Sequence, residues 1–419
     1  MESLTWNKNF LNYVSNPKRI YSMFKDHTDL LLMDIEDCRN YLDGLVTKRV
    51  QSVSKEVPYY RTSSDIGEVS LSNLPLLSKQ TIRATPEVLL SGYTLEGPLI
   101  KRESSGSTGT PLAVWKSQRL FDFYSAISIH ELLQYGWTPL DVYYVLHGAG
   151  IGNLSPGINP SELSDKIIQN RPNILSCYPS YLLSIIRQNP DSEGLKNLQL
   201  KFINTHSEQS SQKERDELES YFGCPVYDEY GSTETGPIAV QCKNKNYHII
   251  EDNVHLEVLD SKGNLAKEGE RGEIVITDLQ NETMALVRYR VGDIGSLGGY
   301  GECGCEWNNF RVLNSLEGRV DDSFKLPSGK IVPPGQMISE ISVRDRMAVK
   351  EWEIVQEEID SFRIYVVKGE KFDPSVAEEL KDSLLNVLDE PVRAEIKYVD
   401  EIRSGNGKRR VYRSLINHD

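Results

Sequence analysis

The sequence predicts a layered α/β protein with mixed or parallel sheets and a β subdomain, followed by a small α+β domain. Three observations carry that expectation. From about residue 98 to 250 short apolar runs alternate with helical patterns, the mark of a largely parallel sheet covered by helices. From 247 to 300 the pattern changes to apolar runs around tight turns, as in hairpins. After about 321 three strand-like runs surround one helical run, in a stretch long enough to fold as an independent domain. The expected division is a large N-terminal domain over 1–320, with a helical segment 1–95, an α/β core 96–250 and a β-rich part 251–320, and a small domain over 321–419.

Taken in order, Leu30, Leu31, Met33, Ile35, Tyr41, Leu42, Leu45 and Val46 recur at helical spacing within residues 1–60. The segment ends at Val57-Pro58, where the residue before proline is pushed to extended backbone. Ser78 is placed to cap a helix beginning at Lys79. Residues 120–133 read as a helix, and 142–146, 174–178 and 201–205 as strands. Residues 254–259 and 272–277 read as two strands around the turn 260–264, and 295–304 as a Gly-rich loop. In the last domain 353–355, 362–367 and 394–399 read as strands and 374–388 as a helix.

Composition narrows the function classes. The 419 residues are 39% hydrophobic and 26% charged, which fits a protein with a sizeable core. Charges of 47 basic and 61 acidic residues leave a net −14, so general binding to nucleic acid or an anionic membrane is not expected. The start, Met1 to Lys8, lacks the apolar core of a signal peptide, and no run approaches the roughly 20 apolar residues of a membrane span. Six cysteines at uneven spacing are not a disulfide framework, and Cys303 and Cys305 are too close for an easy bridge. The expected compartment is the reducing cytoplasm. His27 and His130 read as surface residues, Cys38, Cys177 and Cys224 as ordinary buried thiols, and His147 sits where an acyl pocket or a structural histidine would serve equally.

Five short motifs carry chemistry. Ser104, Ser105, Gly106, Ser107, Thr108, Gly109 and Thr110 offer backbone N–H and hydroxyl donors without bulk, enough to wrap a polyphosphate, although no Gly-Lys-Ser/Thr closes a Walker loop. In Asp228-Glu229-Tyr230-Gly231-Ser232-Thr233-Glu234, Tyr230 can stack on a base, Thr233 can donate to a phosphate and Glu234 can hold Mg²⁺. Asp293 follows a Gly turn, a good position for ribose hydroxyls. Gly318-Arg319-Val320-Asp321-Asp322 falls at the domain boundary, and Ser404-Gly405-Asn406-Gly407-Lys408 is a flexible loop carrying a lysine. Each alone is also a plain solvated turn.

Their order and separation resemble the adenylate-forming superfamily of acyl-CoA synthetases, adenylation domains and luciferases. The stretches Val57 to Arg61, Leu74-Pro75-Leu76-Leu77-Ser78-Lys79, Tyr178-Pro179-Ser180 and Met284 to Arg290 resemble its phenylacetate–CoA ligase-like branch. The resemblance implies that Ser104 to Thr110 hold the ATP β- and γ-phosphates. It implies that Ser207 and Glu208 contact the adenine, with Ser207 standing where the family has a smaller residue, that Tyr230 packs on the adenine, and that Glu229, Gly231, Ser232 and Thr233 also belong to the nucleotide site. It implies Thr233 on the α-phosphate, Glu234 on Mg²⁺, Asp293 on the ribose, Arg319 on ribose or phosphate, Asp321 as the hinge of a mobile C-terminal domain, and Lys408 as the lysine stabilising the carboxylate–phosphate transition state. The implied reaction turns a carboxylic acid and ATP into an acyl-adenylate and pyrophosphate. The acyl group then passes to an acceptor, with CoA the leading expectation. An amine or a carrier-protein thiol, in polysaccharide or secondary-metabolite biosynthesis, is the alternative; a non-catalytic nucleotide-binding protein is a second. A homodimer is one option for its assembly.

Finally, Cys242, His248, Cys303 and Cys305 make a complete tetrahedral Zn²⁺ set by ligand type, expected to be structural. Four unrelated residues are the plain alternative, and similar sets occur in some members of the resembling branch.

Overall fold

The computed structural model describes residues 16–61, 69–91, 98–104, 111–146, 160–341, 348–402 and 411–416. The described chain opens with two helices, α1 (Pro17–Leu32) and α2 (Ile35–Glu56). Asn16 and Asp34 cap them by accepting from Arg19 N and Glu36 N. A short helix α3 (Lys79–Ala84) starts where Ser78 Oγ accepts from Thr81 N at 3.0 Å. Strands β1 (Ile100–Glu103) and β2 (Ala113–Lys116) pair antiparallel, and α4 (Gln118–Gln134) follows.

Next come β3 (Tyr143–Leu146), α5 (Pro160–Asn170), β4 (Ile174–Cys177), α6 (Pro179–Gln188), α7 (Glu193–Lys196), β5 (Phe202–His206), α8 (Gln212–Phe222) and β6 (Val226–Ser232). The chain then turns to strands alone: β7 (Gly236–Gln241), β8 (Tyr247–Ile249), β9 (Val254–Leu259), β10 (Gly272–Asp278), β11 (Tyr289–Leu297) and β12 (Val312–Arg319). These ten strands form one sheet, in the order β3-β4-β5-β6-β7-β8-β12-β11-β10-β9.

The sheet revises two expectations. The parallel arrangement is confined to β3–β6, and every pairing from β6–β7 onward is antiparallel. The β-rich part is continuous with the α/β sheet through the β8–β12 pairing. The reason is connection length: helices α5–α8 supply the crossovers that parallel neighbours need, and after β6 short turns allow only antiparallel return. The Gly-rich stretch 295–304 is a strand as far as Leu297, and loop from there. The turn at 260–264 is closed by Asp260, whose Oδ1 accepts from Lys262 N and Asn264 N at 2.8 and 2.9 Å.

Helices α5, α6 and α8 pack one face of β3–β6 in an apolar core including Leu146, Leu175, Cys177, Ile203 and Val226. The antiparallel half has a separate core with Leu77, Tyr230, Ile274, Leu286 and Tyr289. Cys38, Cys177 and Cys224 are buried free thiols, as expected. His27 and His130, expected on the surface, are 1% and 4% exposed. For His27, Asp252 explains the burial, its Oδ2 lying 2.7 Å from Nδ1; His130 packs edge to face against both His27 and Trp307. A distant carboxylate cannot be anticipated from the polar neighbours of His27.

The C-terminal residues carry their own apolar core, including Phe324, Trp352, Phe362, Leu380 and Tyr412. Strands β13 (Phe324–Lys325) and β14 (Ile331–Val332) form a small ladder, followed by α9 (Pro334–Glu340). Then β15 (Val349–Glu358), β16 (Ser361–Lys368), α10 (Pro374–Leu388), β17 (Arg393–Val399) and β18 (Tyr412–Ser414) build a sheet in the order β17-β16-β15-β18. No helix among the described residues is long and apolar enough to cross a membrane.

Candidate active site

Three strands meet at one polar corner. Tyr230, near the end of β6, is buried, and its hydroxyl donates to Asp293 Oδ2 at 2.7 Å. Asp293 lies on β11 directly opposite Arg319 of β12, and Arg319 Nε is 3.6 Å from its Oδ1. Asp293, and beyond it Glu234, hold the Arg319 guanidinium above its ordinary pKa despite burial. Glu234 is buried and accepts from the Tyr289 hydroxyl at 3.2 Å, so β11 supplies both Asp293 and the group that orients Glu234.

Glycines make the close approaches possible. A Cβ on Gly231 would sit 2.9 Å from Gly236 O. Gly318 has φ +92, and a Cβ there would meet the Gln209 side chain at 2.3 Å, so the 207–209 turn lies against the end of β12. Ser232 Oγ accepts from Thr235 N at 3.0 Å and closes the turn that presents the exposed Thr233. Ser207 takes φ 68, a left-handed conformation in which a Cβ is strained. Glu208 accepts from Ser180 N at 3.3 Å. Glu229 faces the other side of β6, beside Asn204. Ser104 pins the base of the loop between β1 and β2: its Oγ accepts from Leu112 N at 3.1 Å, and its N–H donates to Leu112 O at 2.9 Å. Ser105, Gly106, Ser107, Thr108, Gly109, Thr110, His147 and Lys408 lie outside the described residues. Asp321 is exposed in the helical turn after β12.

Sequence reasoning missed Lys79 as a site residue, having read it only as part of a helix entry. Leu77 bridges to β11, with Leu77 N donating to Arg288 O and Arg290 N to Leu77 O, both at 2.9 Å. That bridge carries Lys79 to Gly292, where a Cβ would lie 2.9 Å from its Nζ. Burial, and then Arg319, push its ammonium below the ordinary pKa, while Asp293, Glu234 and Asp321 oppose the shift.

A second constellation lies at β7, β8 and the loop before β12. One ligand atom each from Cys242, His248, Cys303 and Cys305 falls within 4.8 Å of all the others. Cys242 Sγ is 3.5 Å from Cys303 Sγ, and Cys305 Sγ 3.2 Å from His248 Nε2. His248 Nδ1 is 3.0 Å from Phe310 O, which fixes the tautomer by accepting its proton and turns the Nε2 lone pair toward the thiols. Asn246 Nδ2 donates to Cys303 Sγ at 3.3 Å and Asn244 Nδ2 to Cys303 O at 2.8 Å, two supports that the sequence alone did not disclose. The donor set and spacing fit one tetrahedral zinc ion.

Residues 104–282 match the AMP-binding enzyme family and residues 326–417 the CapK C-terminal domain. The chain is 26% identical over 337 residues to a phenylacetate–coenzyme A ligase of Escherichia coli (strain K12), covering 72% of this chain and 76% of that one. Residues 104–282 thus form an AMP-binding enzyme domain, in a chain homologous to phenylacetate–CoA ligases. As a phenylacetate–CoA ligase homologue it is an AMP-forming ligase. It is also 24% identical over 259 residues to Protein CapK of Staphylococcus aureus, covering 60% of this chain and 54% of that one. The adenylate-forming fold is shared with a 2-hydroxyisobutyryl-CoA ligase in the postadenylation state, with TM-score 0.74 at 17% identity over 92% of this chain and 91% of that one. The same ligase in its thioesterification state gives 0.58 at 18% identity over 91% and 90%.

Proposed function

We propose that the protein converts a carboxylic acid and ATP into an acyl-adenylate and pyrophosphate, then transfers the acyl group to the thiol of CoA. The observation that carries this reading is the Tyr230–Asp293–Arg319 contact with Glu234 beside it. A carboxylate is unreactive because its leaving group is oxide. Attack on the α-phosphate of ATP replaces that leaving group with AMP, and charge then develops on phosphate oxygens where fixed cations and donors act.

In this proposal Tyr230 packs on adenine, Asp293 accepts from the ribose hydroxyls, Arg319 neutralises Asp293 and reaches ribose or phosphate, and Thr233 donates to the α-phosphate. Ser104 to Thr110 hold the outer phosphates, and Ser207 and Glu208 border the base. Glu234 would hold Mg²⁺, which supplies charge neutralisation on the phosphates. Lys408 would approach the α-phosphate for the first half-reaction and leave for the second, with Asp321 as hinge. Support for two arrangements comes from the unequal similarity to two states of one ligase at equal coverage. Zn²⁺ held by Cys242, His248, Cys303 and Cys305 would be structural, because a closed shell leaves no position for water.

The second reading keeps the adenylation and changes the acceptor to an amine or a carrier-protein thiol. The test is acid-dependent ATP–pyrophosphate exchange followed by AMP release with CoA, amines or carrier protein. AMP release that CoA accelerates supports the thioester reading; acceleration by amines alone replaces it with amide formation.

A further inference from the structure

The two faces of the parallel strands differ. The face under α5, α6 and α8 is apolar except where Thr205 donates to Asp228, beside Arg215 of α8. The face under α4 is apolar only at the N-terminal ends of the strands, where Ile174, Phe202 and Tyr227 pack with Leu132, Tyr135 and Trp137. Two residues further along, a polar row crosses three strands, with Ser176 on β4, Asn204 on β5 and Glu229 on β6, while Tyr143 stands at the start of β3, opposite Ile174. Ser176 pairs with Asn204 in the ladder, and Tyr143 reaches both side chains. Glu131 of α4 faces the row, hydrogen-bonded to Tyr135 and with Glu229 as its strongest charged influence.

The row holds more acceptors than donors. Asn204 and Glu131 are 4% and 3% exposed, and Asn204 Oδ1 and Glu131 Oε1 have no hydrogen-bond partner among the described residues. Burying such acceptors unpaired is costly. Glu229, by contrast, is half-buried, so the row borders accessible space. Its chain neighbour Tyr230 marks the nucleotide corner through Asp293. Ligands of open α/β sheets bind at the carboxyl ends of the strands, so an acyl group leaving the α-phosphate runs along this row.

Resting on the acyl-adenylate reading above, we infer that the acid this protein activates carries a hydrogen-bond-donating group remote from its carboxylate, an ammonium seated between Glu229 and Glu131. One cation there partners both carboxylates and can donate to the unpaired Asn204 oxygen. Burial and then Glu229 raise the Glu131 carboxyl, and burial and then Asp228 raise Glu229. A purely apolar acid would leave the same oxygens unpaired.

The test measures kcat/KM for ATP–pyrophosphate exchange with matched acids: pentanoate against 4-hydroxybutyrate and 4-aminobutyrate, and 4-ethylphenylacetate against 4-(aminomethyl)phenylacetate. The amine of each pair should exceed its apolar partner by tenfold or more, chiefly through KM. Glu229→Gln and Glu131→Gln, checked by thermal melting, should bring that ratio toward one. A hydroxyl partner that outperforms the amine replaces the cation by a neutral donor and overturns the ammonium assignment. Apolar acids matching their amine partners in the wild-type protein, a ratio unmoved by either folded variant, or ATP bound with every amine silent, would each overturn the inference. Failure of the underlying reading is separate: ATP then fails to bind by calorimetry and no acid of any class supports exchange.

Discussion

The nucleotide corner and the Cys/His cluster occupy the same sheet but are built on opposite principles. In the corner, Tyr230, Asp293 and Arg319 already hold one another, and Tyr289 holds Glu234. All stand on or beside long strands whose ladder fixes them. In the cluster, three thiols and an imidazole face each other from β7, β8 and a loop. Hydrogen bonding, led by Cys305 and aided by His248, lowers the pKa of the Cys242 thiol against the upward push of burial. In the proposed reading the first is a receptor preorganised before ligand arrives, and the second a staple that a zinc ion would complete. Damage to the corner should therefore cost turnover and spare stability, and damage to the cluster should do the reverse.

The largest effect should come from the corner. Asp293→Ala and Lys408→Ala should each slow exchange by on the order of 10²–10³, with melting temperature unchanged for Lys408→Ala. Transfer from a preformed acyl-adenylate should survive Lys408→Ala. Rapid-quench measurement of each half-reaction checks this; equal loss of both would remove Lys408 from its first-step role. Asp321→Pro should show the inverse pattern, fixing the backbone and damaging the second step more.

The cluster should answer in stability. Metal analysis of protein purified without chelator should give zinc near one per chain, and Cys303→Ser/Cys305→Ser should abolish it. The variant should melt several degrees lower, with turnover reduced only indirectly. Zinc unchanged in the variant would remove these ligands from the account.

A third expectation sharpens the comparison through pH. Burial, followed by the neighbouring Asp228, raises the Glu229 carboxyl to about 7. The folded state then binds the proton more tightly than the unfolded state. Its contribution to stability is present below the unfolded pKa of about 4.5 and lost as pH rises toward 7, by at most about 1.4 kcal/mol per unit. Glu229→Gln should flatten that part of the pH–stability curve, read by denaturant melts from pH 4 to 8.

The smallest effect belongs to Ser207. Its φ of 68 is one that glycine adopts without strain. Ser207→Gly should stabilise the protein by about 0.5–1 kcal/mol, the αL strain less the added chain entropy. Unchanged or reduced stability would mean that the Ser207 side chain, whose Oγ is 3.0 Å from His206 Nδ1, contributes more than it strains.

These contrasts also explain what the sequence could disclose. Helix α10 and hairpin β9–β10 were legible because caps, periodicity and turn residues are local signals. Tyr230, Glu234, Asp293 and Arg319 were legible as motif positions, and the metal set by residue type. Lys79 was not, because its place depends on the Leu77 bridge to β11, a pairing across more than two hundred residues. The buried His27–Asp252 contact and the polar row under α4 are equally long-range. The sheet's change from parallel to antiparallel was half legible: alternation of strands and helices announces the first half, and its end at β6 is set by the short β6–β7 turn.

The central claim is that the Tyr230–Asp293–Arg319 corner binds ATP for attack by an acid. The most direct measurement is pyrophosphate exchange into ATP, with Mg²⁺ and a broad acid panel, for wild-type protein and Asp293→Ala side by side. The account predicts exchange that requires both acid and Mg²⁺ and that falls by on the order of 10² or more in a variant that remains folded. Exchange of equal rate in folded Asp293→Ala, or no exchange and no ATP binding in the wild type, would contradict it.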